Sequence, residues 1–217
     1  MKTLRPTLLF ALLLTFTTFC FAQNKYQIRL KVSPIKAELR SIIVNQDSTC
    51  DVFIGLDPDG IARVGTSRQG TIEYWGTNDG AHRKNKTKTL AGVPQDFYDS
   101  FDVDKTGKLK SFGRMVVDYY TRFDGFDNIG KVKSIDGVIF KYYDRFDGDP
   151  KLTGRLKSVG DDKITYYSQF DGFDNIGKLK SIGNTVITYF DRFSGREYLG
   201  RVKSVKGTTP TLYVTQE

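Results

Sequence analysis

The sequence predicts an all-β protein made of tandem β-hairpin repeats of about 23 residues, arranged as an open twisted meander or ribbon. Two observations carry this prediction. Landmark residues return at a fixed spacing, and aromatic residues are abundant, with 16 Phe and 12 Tyr in 217 residues. Aromatic and β-branched side chains favour strands. No stretch shows a helical apolar period with capping residues at its ends.

The repeat is clearest in the C-terminal half of the chain. A phenylalanine, a glycine and a serine each return every 22 to 24 residues: Phe101, Phe123, Phe146, Phe170 and Phe193; Gly107, Gly130, Gly154, Gly177 and Gly200; Ser111, Ser134, Ser158, Ser181 and Ser204. Residues 60–65 and 71–75 resemble the two strands of a fainter unit. We therefore divide the chain into a signal peptide (1–22), degenerate N-terminal repeats (23–96) and well-kept β-hairpin repeats (97–217) that continue the preceding part.

Each unit reads as two strands joined by a turn. The first strand, for example residues 186–193, is β-branched and aromatic, and alternation places Ile187, Tyr189 and Phe193 on one face. The second strand, for example residues 177–182, is short. Asp, Gly and Asn between the strands supply turn geometry. The recurring Gly before Lys or Arg suits a positive φ.

A longer period leaves an alternative arrangement open. Residues 123–131 return unchanged at 170–178, which is 47 residues later. Pairs of hairpins could therefore form the four-stranded blades of a small β-propeller with 47-residue blades. About seven units would supply only three or four blades, so the open array is favoured over closure.

The N-terminus has the pattern of a secretory signal. Lys2 and Arg5 precede an uncharged stretch over residues 8–21, and a small residue, Ala22, follows. This pattern predicts cleavage near Ala22 and a secreted or periplasmic, cell-envelope location. A lipid anchor through Cys20 is the alternative reading of the same stretch.

Cleavage changes the charge and the cysteine content of the chain. The formal net charge of +8 falls to +6 because Lys2 and Arg5 are removed. Only Cys50 remains, so no internal disulfide can form, and packing must stabilise the fold. We expect Cys50 to be a small buried apolar residue and the mature chain to lack a membrane span.

The sequence offers little for catalysis. His82 is the only histidine, and the serines recur in every unit, which is unlike a single activated nucleophile. Residues 102–108 resemble a calcium loop, but the acid that a helix–loop–helix site needs is replaced by Gly113. We predict no enzyme activity, no catalytic residues, no metal site and no cofactor. A secreted hydrolase using turn carboxylates is the alternative.

A row of cations is the strongest candidate for a binding site. One lysine recurs at the same place in five units, and a tyrosine series accompanies it; the candidate ligand-binding residues are Lys110, Lys133, Lys157, Lys180, Lys203, Tyr120, Tyr143 and Tyr167. A second row stands two residues earlier: Lys108, Lys131, Arg155, Lys178 and Arg201. We therefore predict a secreted or envelope-associated, non-catalytic repeat protein that is either structural or binds a glycan, an anionic surface polymer or a protein partner. Solubility of the sheet edges is the competing explanation. Nucleic acid is not expected as a partner.

The repeat unit resembles the YD repeat of RHS-type proteins. The matching stretches are Tyr143-Asp144 with residues 154–156, and Phe190-Asp191 with residues 200–202. This resemblance implies paired strands wound into a continuous β-ribbon without catalytic residues in the repeats. Between the Asp and the Gly, this chain carries an extra stretch that the YD unit lacks. The chain also resembles uncharacterised secreted tandem-repeat proteins of Bacteroidetes, which implies an exported location.

Overall fold

The structure is a computed structural model that describes residues 24–216, so the predicted signal peptide lies outside the described residues. This range contains 17 strands and four short 3₁₀ helices. The strands are β1 Tyr26–Val32, β2 Ala37–Asn45, β3 Val52–Leu56, β4 Ala62–Thr66, β5 Ile72–Tyr74, β6 Thr87–Leu90, β7 Val93–Phe97, β8 Leu109–Phe112, β9 Met115–Tyr119, β10 Val132–Ile135, β11 Val138–Tyr142, β12 Leu156–Val159, β13 Asp162–Tyr166, β14 Leu179–Ile182, β15 Thr185–Tyr189, β16 Val202–Lys206 and β17 Leu212–Gln216. The 3₁₀ helices are Arg122–Asp124, Pro150–Leu152, Gln169–Asp171 and Arg192–Ser194.

Strands β5 to β16 form one antiparallel sheet of 12 strands, hereafter the array, in which every strand pairs with its neighbours in sequence. The terminal strands β5 and β16 do not pair with each other, so the sheet is open. The predicted open meander is confirmed, and no propeller is formed. Tight turns such as Asp136-Gly137 connect strands at one end of the array, and longer loops with the 3₁₀ helices connect them at the other.

The long hairpins share one irregularity. The pairing register shifts near the end of the first strand, for example between Lys141 and Tyr142 opposite β12. The glycine two residues before the second strand of each long hairpin has a φ of 72° to 83° in all five units. The predicted positive φ is therefore confirmed. At Gly154 a Cβ would also lie 2.8 Å from the Lys131 Nζ atom, so any side chain there would displace that lysine.

The first four strands form a different sheet. They join β17 in the order β17-β1-β2-β3-β4, with β17 parallel to β1, so the two ends of the described chain meet. The fainter repeat unit proposed from residues 60–65 and 71–75 is wrong, because β4 pairs with β3 whereas β5 pairs with β6. The change of sheet falls between Thr66 and Ile72, inside the segment assigned to degenerate repeats.

The five-stranded sheet packs against the array and shares one core with it. Ile28 and Ile54 on one side and Phe112, Phe140 and Ile164 on the other are fully buried. Burying each such side chain stabilises the fold by about 1.5–3 kcal/mol. This cover supplies one face of the repeats with the apolar contacts that a single sheet lacks.

Two sequence expectations about individual residues need correction. The predicted strand 186–193 ends at Tyr189, and Phe193 lies in a 3₁₀ helix with its side chain 90% exposed. The helix forms because the Asp191 carboxylate accepts a hydrogen bond from the Phe193 N–H at 3.1 Å. Cys50 is half-buried rather than buried, because it occupies the β2–β3 turn at a φ of 57°.

Candidate functional site

The predicted lysines and tyrosines do lie together. We call Lys110, Lys133, Lys157, Lys180 and Lys203 the lysine row. Within each of the three central units, the lysine forms an ion pair with an aspartate: Lys133 with Asp124 at 2.5 Å, Lys157 with Asp147, and Lys180 with Asp171. The same lysines lie over the rings of Tyr120, Tyr143 and Tyr167 at 5.8, 5.5 and 5.6 Å. The positive charge of these lysines is therefore already balanced within the protein.

The tyrosines connect consecutive units. Each hydroxyl donates a hydrogen bond to a backbone carbonyl of the next unit: Tyr120 to Phe140 at 2.9 Å, Tyr143 to Ile164 at 3.1 Å and Tyr167 to Ile187 at 3.0 Å. The last unit has Phe190 at this place, where no further strand follows in the array. Lys110 and Lys203 lie over Tyr98 and Phe190 at 5.7 and 5.8 Å. A role of these side chains in ligand binding stays a prediction.

A second connection joins an aspartate of one unit to an arginine of the next. Asp104 binds Arg122, Asp127 binds Arg145 and Asp174 binds Arg192, each carboxylate accepting bonds from the backbone N–H and the guanidinium. At the remaining unit boundary, Lys151 stands in place of the aspartate and Gln169 in place of the arginine. Both partners are therefore replaced together, which avoids placing a lysine against an arginine. Asp104, a residue of the calcium-like turn, is thus bound by a guanidinium. The 18-residue spacing in the sequence could have revealed this pair.

We expect the thermal stability of the protein to fall steeply in acid. The hydrogen bonds from Arg122, Lys133 and Arg145 lower the pKa values of Asp104, Asp124 and Asp127 to about 2. A carboxyl whose pKa is depressed by folding stabilises the protein above its unfolded pKa, about 4, and loses that contribution as the pH falls towards the folded value.

Thermal unfolding measured by circular dichroism should therefore give a constant midpoint between about pH 5 and 7, and a decreasing one from about pH 4 to 2. The Asp127→Asn variant lacks one of these groups and should show a shallower acid decrease. Equal slopes in the two proteins would contradict the assignment.

A second set of cations, hereafter the cleft row, comprises Lys131, Arg155 and Lys178. Each donates a hydrogen bond to the glycine carbonyl of the next unit, at Gly154, Gly177 and Gly200. Each also lies over a tyrosine ring, at 4.9 Å for Tyr142, 5.1 Å for Tyr166 and 4.9 Å for Tyr189. Within residues 24–216, none of the three forms an ion pair with a carboxylate. Burial lowers the pKa values of Lys131 and Lys178.

The cleft row lines a cleft between the two sheets with a volume of about 730 Å³. Its other wall comes from the first half of β2 and from Pro58 and Asp59 in the β3–β4 loop. Arg40 adds a fourth cation. The two acids in the lining are Asp59 and Glu38, and Glu38 pairs with Lys36 at 2.7 Å. The cleft therefore carries an excess of positive charge.

The recurring phenylalanines form a third surface, at the ends of the long loops. We call Phe101, Phe123, Phe146, Phe170 and Phe193 the phenylalanine row; their side chains are 86–93% exposed. Phe126 and Phe173, in the loops that follow two of them, are 74% and 76% exposed. These residues mark the repeat in the sequence but were predicted to lie in strands, so a surface of this kind was not expected.

His82 lies in the loop between β5 and β6. In the described part of the chain, no three His, Cys, Asp or Glu side chains are grouped as ligands for a metal ion. None of the described helices is long and apolar enough to cross a membrane.

The described part of the chain belongs to the class of open antiparallel β-hairpin arrays that are covered on one face by a second sheet. Comparison with known proteins found no matching family model, no similar curated protein and no similar solved structure. The likeness to YD repeats stays a resemblance of sequence pattern.

Proposed function

We propose that this chain is an exported, non-catalytic binding protein of the cell envelope or exterior, and that its ligand is an anionic polymer such as an acidic glycan. One observation carries the proposal: the cleft row places three cations, none of them in an ion pair with a described carboxylate, along the 730 Å³ cleft between the two sheets. The signal-like segment 1–22, which lies outside the described residues, supports export.

The surroundings of the cleft row favour an anionic ligand. Removing a cation from water costs free energy unless a negative charge accompanies it. Carbonyl oxygens, ring faces and the charges of Asp59 near Lys131 and Asp174 near Lys178 offset only part of that cost, because burial still lowers the pKa values of both lysines. A carboxylate or sulfate entering the cleft would supply the missing charge and shorter, stronger hydrogen bonds.

The spacing of the row favours a polymer over a small anion. Lys131, Arg155 and Lys178 occupy equivalent places in successive hairpins. Strands lie about 4.8 Å apart, so equivalent residues of neighbouring hairpins are about 10 Å apart. An extended glycan with one acidic group per disaccharide presents its charges at a similar interval.

The turn carboxylates give the hydrolase alternative less support. A general acid needs a pKa near the working pH. Asp104, Asp124 and Asp127 instead have pKa values of about 2, because arginine and lysine side chains bind them. Such groups remain ionised and act as partners of cations.

We expect the triple variant Lys131→Gln, Arg155→Gln, Lys178→Gln to bind acidic polymers about tenfold or more weakly than the parent protein, because three charge-assisted contacts are lost. Glutamine keeps a donor for each glycine carbonyl. The measurement is the affinity for dextran sulfate and polygalacturonate at low and moderate salt, with neutral dextran as the ligand control.

The matched control removes the same number of charges two residues away, in Lys133→Gln, Lys157→Gln, Lys180→Gln. We expect this variant to bind like the parent protein, because those charges are already paired. Loss of binding in the control alone would place the ligand on the lysine row and refute the cleft. Circular dichroism verifies that both variants are folded.

A further inference from the structure

We infer that the protein forms a twofold dimer in which the phenylalanine rows of two copies interleave. The inference is independent of the proposed function, because the phenylalanine row lies on the loop ends and contributes no residue to the cleft.

The exposed apolar area matches what a dimer needs. Phe126 and Phe173 join the five rings of the row, and all seven side chains are at least 74% exposed. Seven aromatic side chains can bury on the order of 1,000 Å². A stable interface buries about 800 Å² on each partner, and exposed apolar patches larger than a few hundred Å² mark interaction sites. The phenylalanines alone therefore suffice for an interface of ordinary size.

The shape of the row favours rings that insert over rings that lie flat. A ring that stacks on a sugar from a protein surface has one face buried against that surface. Exposure of 86–93% leaves both faces of each ring in the row open, so the rings project from the protein. Projecting rings gain most contact by entering a hole in a partner, as knobs do in a packed core.

The holes that fit these rings lie between the rings themselves. One cleft of about 330 Å³ has Phe101 and Phe123 as its walls. Another, of about 400 Å³, lies between Phe126 and Phe146 in the next pair of units. At these two places a cleft separates neighbouring rings, so a ring of a second copy can enter it. A self-complementary patch is the requirement for an interface with twofold symmetry.

The charges beside the row permit two identical surfaces to meet. The side chains that line the clefts include Arg122 with Asp104 and Arg145 with Asp127, at 2.8 and 2.6 Å. Each pair is neutral, so two copies would not repel each other there. Because these pairs are neutral, they do not attract the row to an anionic lipid surface.

The twist of the array limits how many rings interleave closely. Successive strands rotate by roughly 20–25°, so the row is curved rather than straight. Two curved rows touch best at their centres. Phe123, Phe146 and Phe170 therefore make the closest contacts at the centre of the interface, the outer rings lie at its rim, and the twofold axis lies near Phe146, the middle ring of the five.

Sedimentation equilibrium and light scattering of the purified protein test this inference. We expect the parent protein to have twice the mass of its chain, and the Phe123→Ser, Phe146→Ser, Phe170→Ser variant to be monomeric, with self-affinity reduced about 100-fold or more. The matched control, Val116→Thr, Ile139→Thr, Val186→Thr, removes three exposed apolar side chains from strands, and it should remain dimeric.

Two results would overturn the inference. One is a monomeric parent protein, and the other is a phenylalanine variant that still forms dimers. If the monomeric parent instead sedimented with phosphatidylcholine vesicles, and the phenylalanine variant did not, a lipid surface would replace the second copy. The phenylalanine variant keeps the cleft row, so its affinity for dextran sulfate reports on the proposed function separately.

Discussion

Replacing Phe140 by alanine should destabilise the protein by about 3–5 kcal/mol, the usual cost of removing a fully buried phenylalanine. Phe140 lies on β11 with none of its side chain exposed, in the core shared by the two sheets. The five-stranded sheet and the array both pack on this core, so the cavity cannot close by moving one loop. A decrease of the thermal midpoint on the order of 10 °C should accompany the change.

The chain contains a matched control for this substitution. Phe123 lies in the neighbouring loop and is 93% exposed. Phe123→Ala should change the free energy of unfolding by less than about 0.5 kcal/mol when the protein is held monomeric by dilution. Denaturant unfolding followed by tyrosine fluorescence measures both. Similar losses in the two variants would show that the described burial is incorrect.

Replacing Thr209 by valine should destabilise the protein by about 2–4 kcal/mol although the shape of the side chain is preserved, because the buried N–H of Thr185 and the part-buried N–H of Asn184 lose their acceptor. The Thr209 hydroxyl donates to the Ile182 carbonyl at 2.7 Å and accepts from the backbone N–H groups of Asn184 and Thr185 at 3.0 and 3.1 Å. Thr209 is only 5% exposed, so water cannot replace these bonds at no cost.

Thr208 provides the comparison for Thr209. Its side chain is exposed, so Thr208→Val should leave stability unchanged within about 0.5 kcal/mol. Chemical denaturation measures the difference between the two variants. Equal effects would mean that the Thr209 hydroxyl does not hold the segment that connects β16 to β17.

The repeat made the array predictable. Equivalent residues return at a nearly constant interval, and β-branched and aromatic residues favour strands, so the hairpins and the positive φ of their glycines follow from local sequence. The five-stranded sheet did not follow. Its pairing of β17 with β1 joins residues about 185 positions apart, and no local pattern in Leu212–Gln216 indicates a parallel partner.

In the candidate site, too, some features could be predicted from the repeat and others could not. The alignment of Lys133 with Lys157 and Lys180 could be predicted, because it needs only the repeat. The ion pairs that balance these lysines depend on loops whose form the sequence analysis did not recognise. The signal was present in the spacing of Thr121 and Asp124 and of Ser168 and Asp171, where the acid accepts hydrogen bonds from the capping residue.

The parallel pairing of β17 with β1 fixes the number of hairpins in this protein. In an open solenoid, a unit can be inserted or deleted while the remaining units keep their contacts. Here the chain leaves the array after β16 and must return to β1 within residues 207–211. One additional hairpin would move that exit by about 10 Å, beyond what the connecting segment allows without new residues. Duplication of a unit, the ordinary route by which repeat proteins grow, would therefore also require a longer segment between β16 and β17 in this chain.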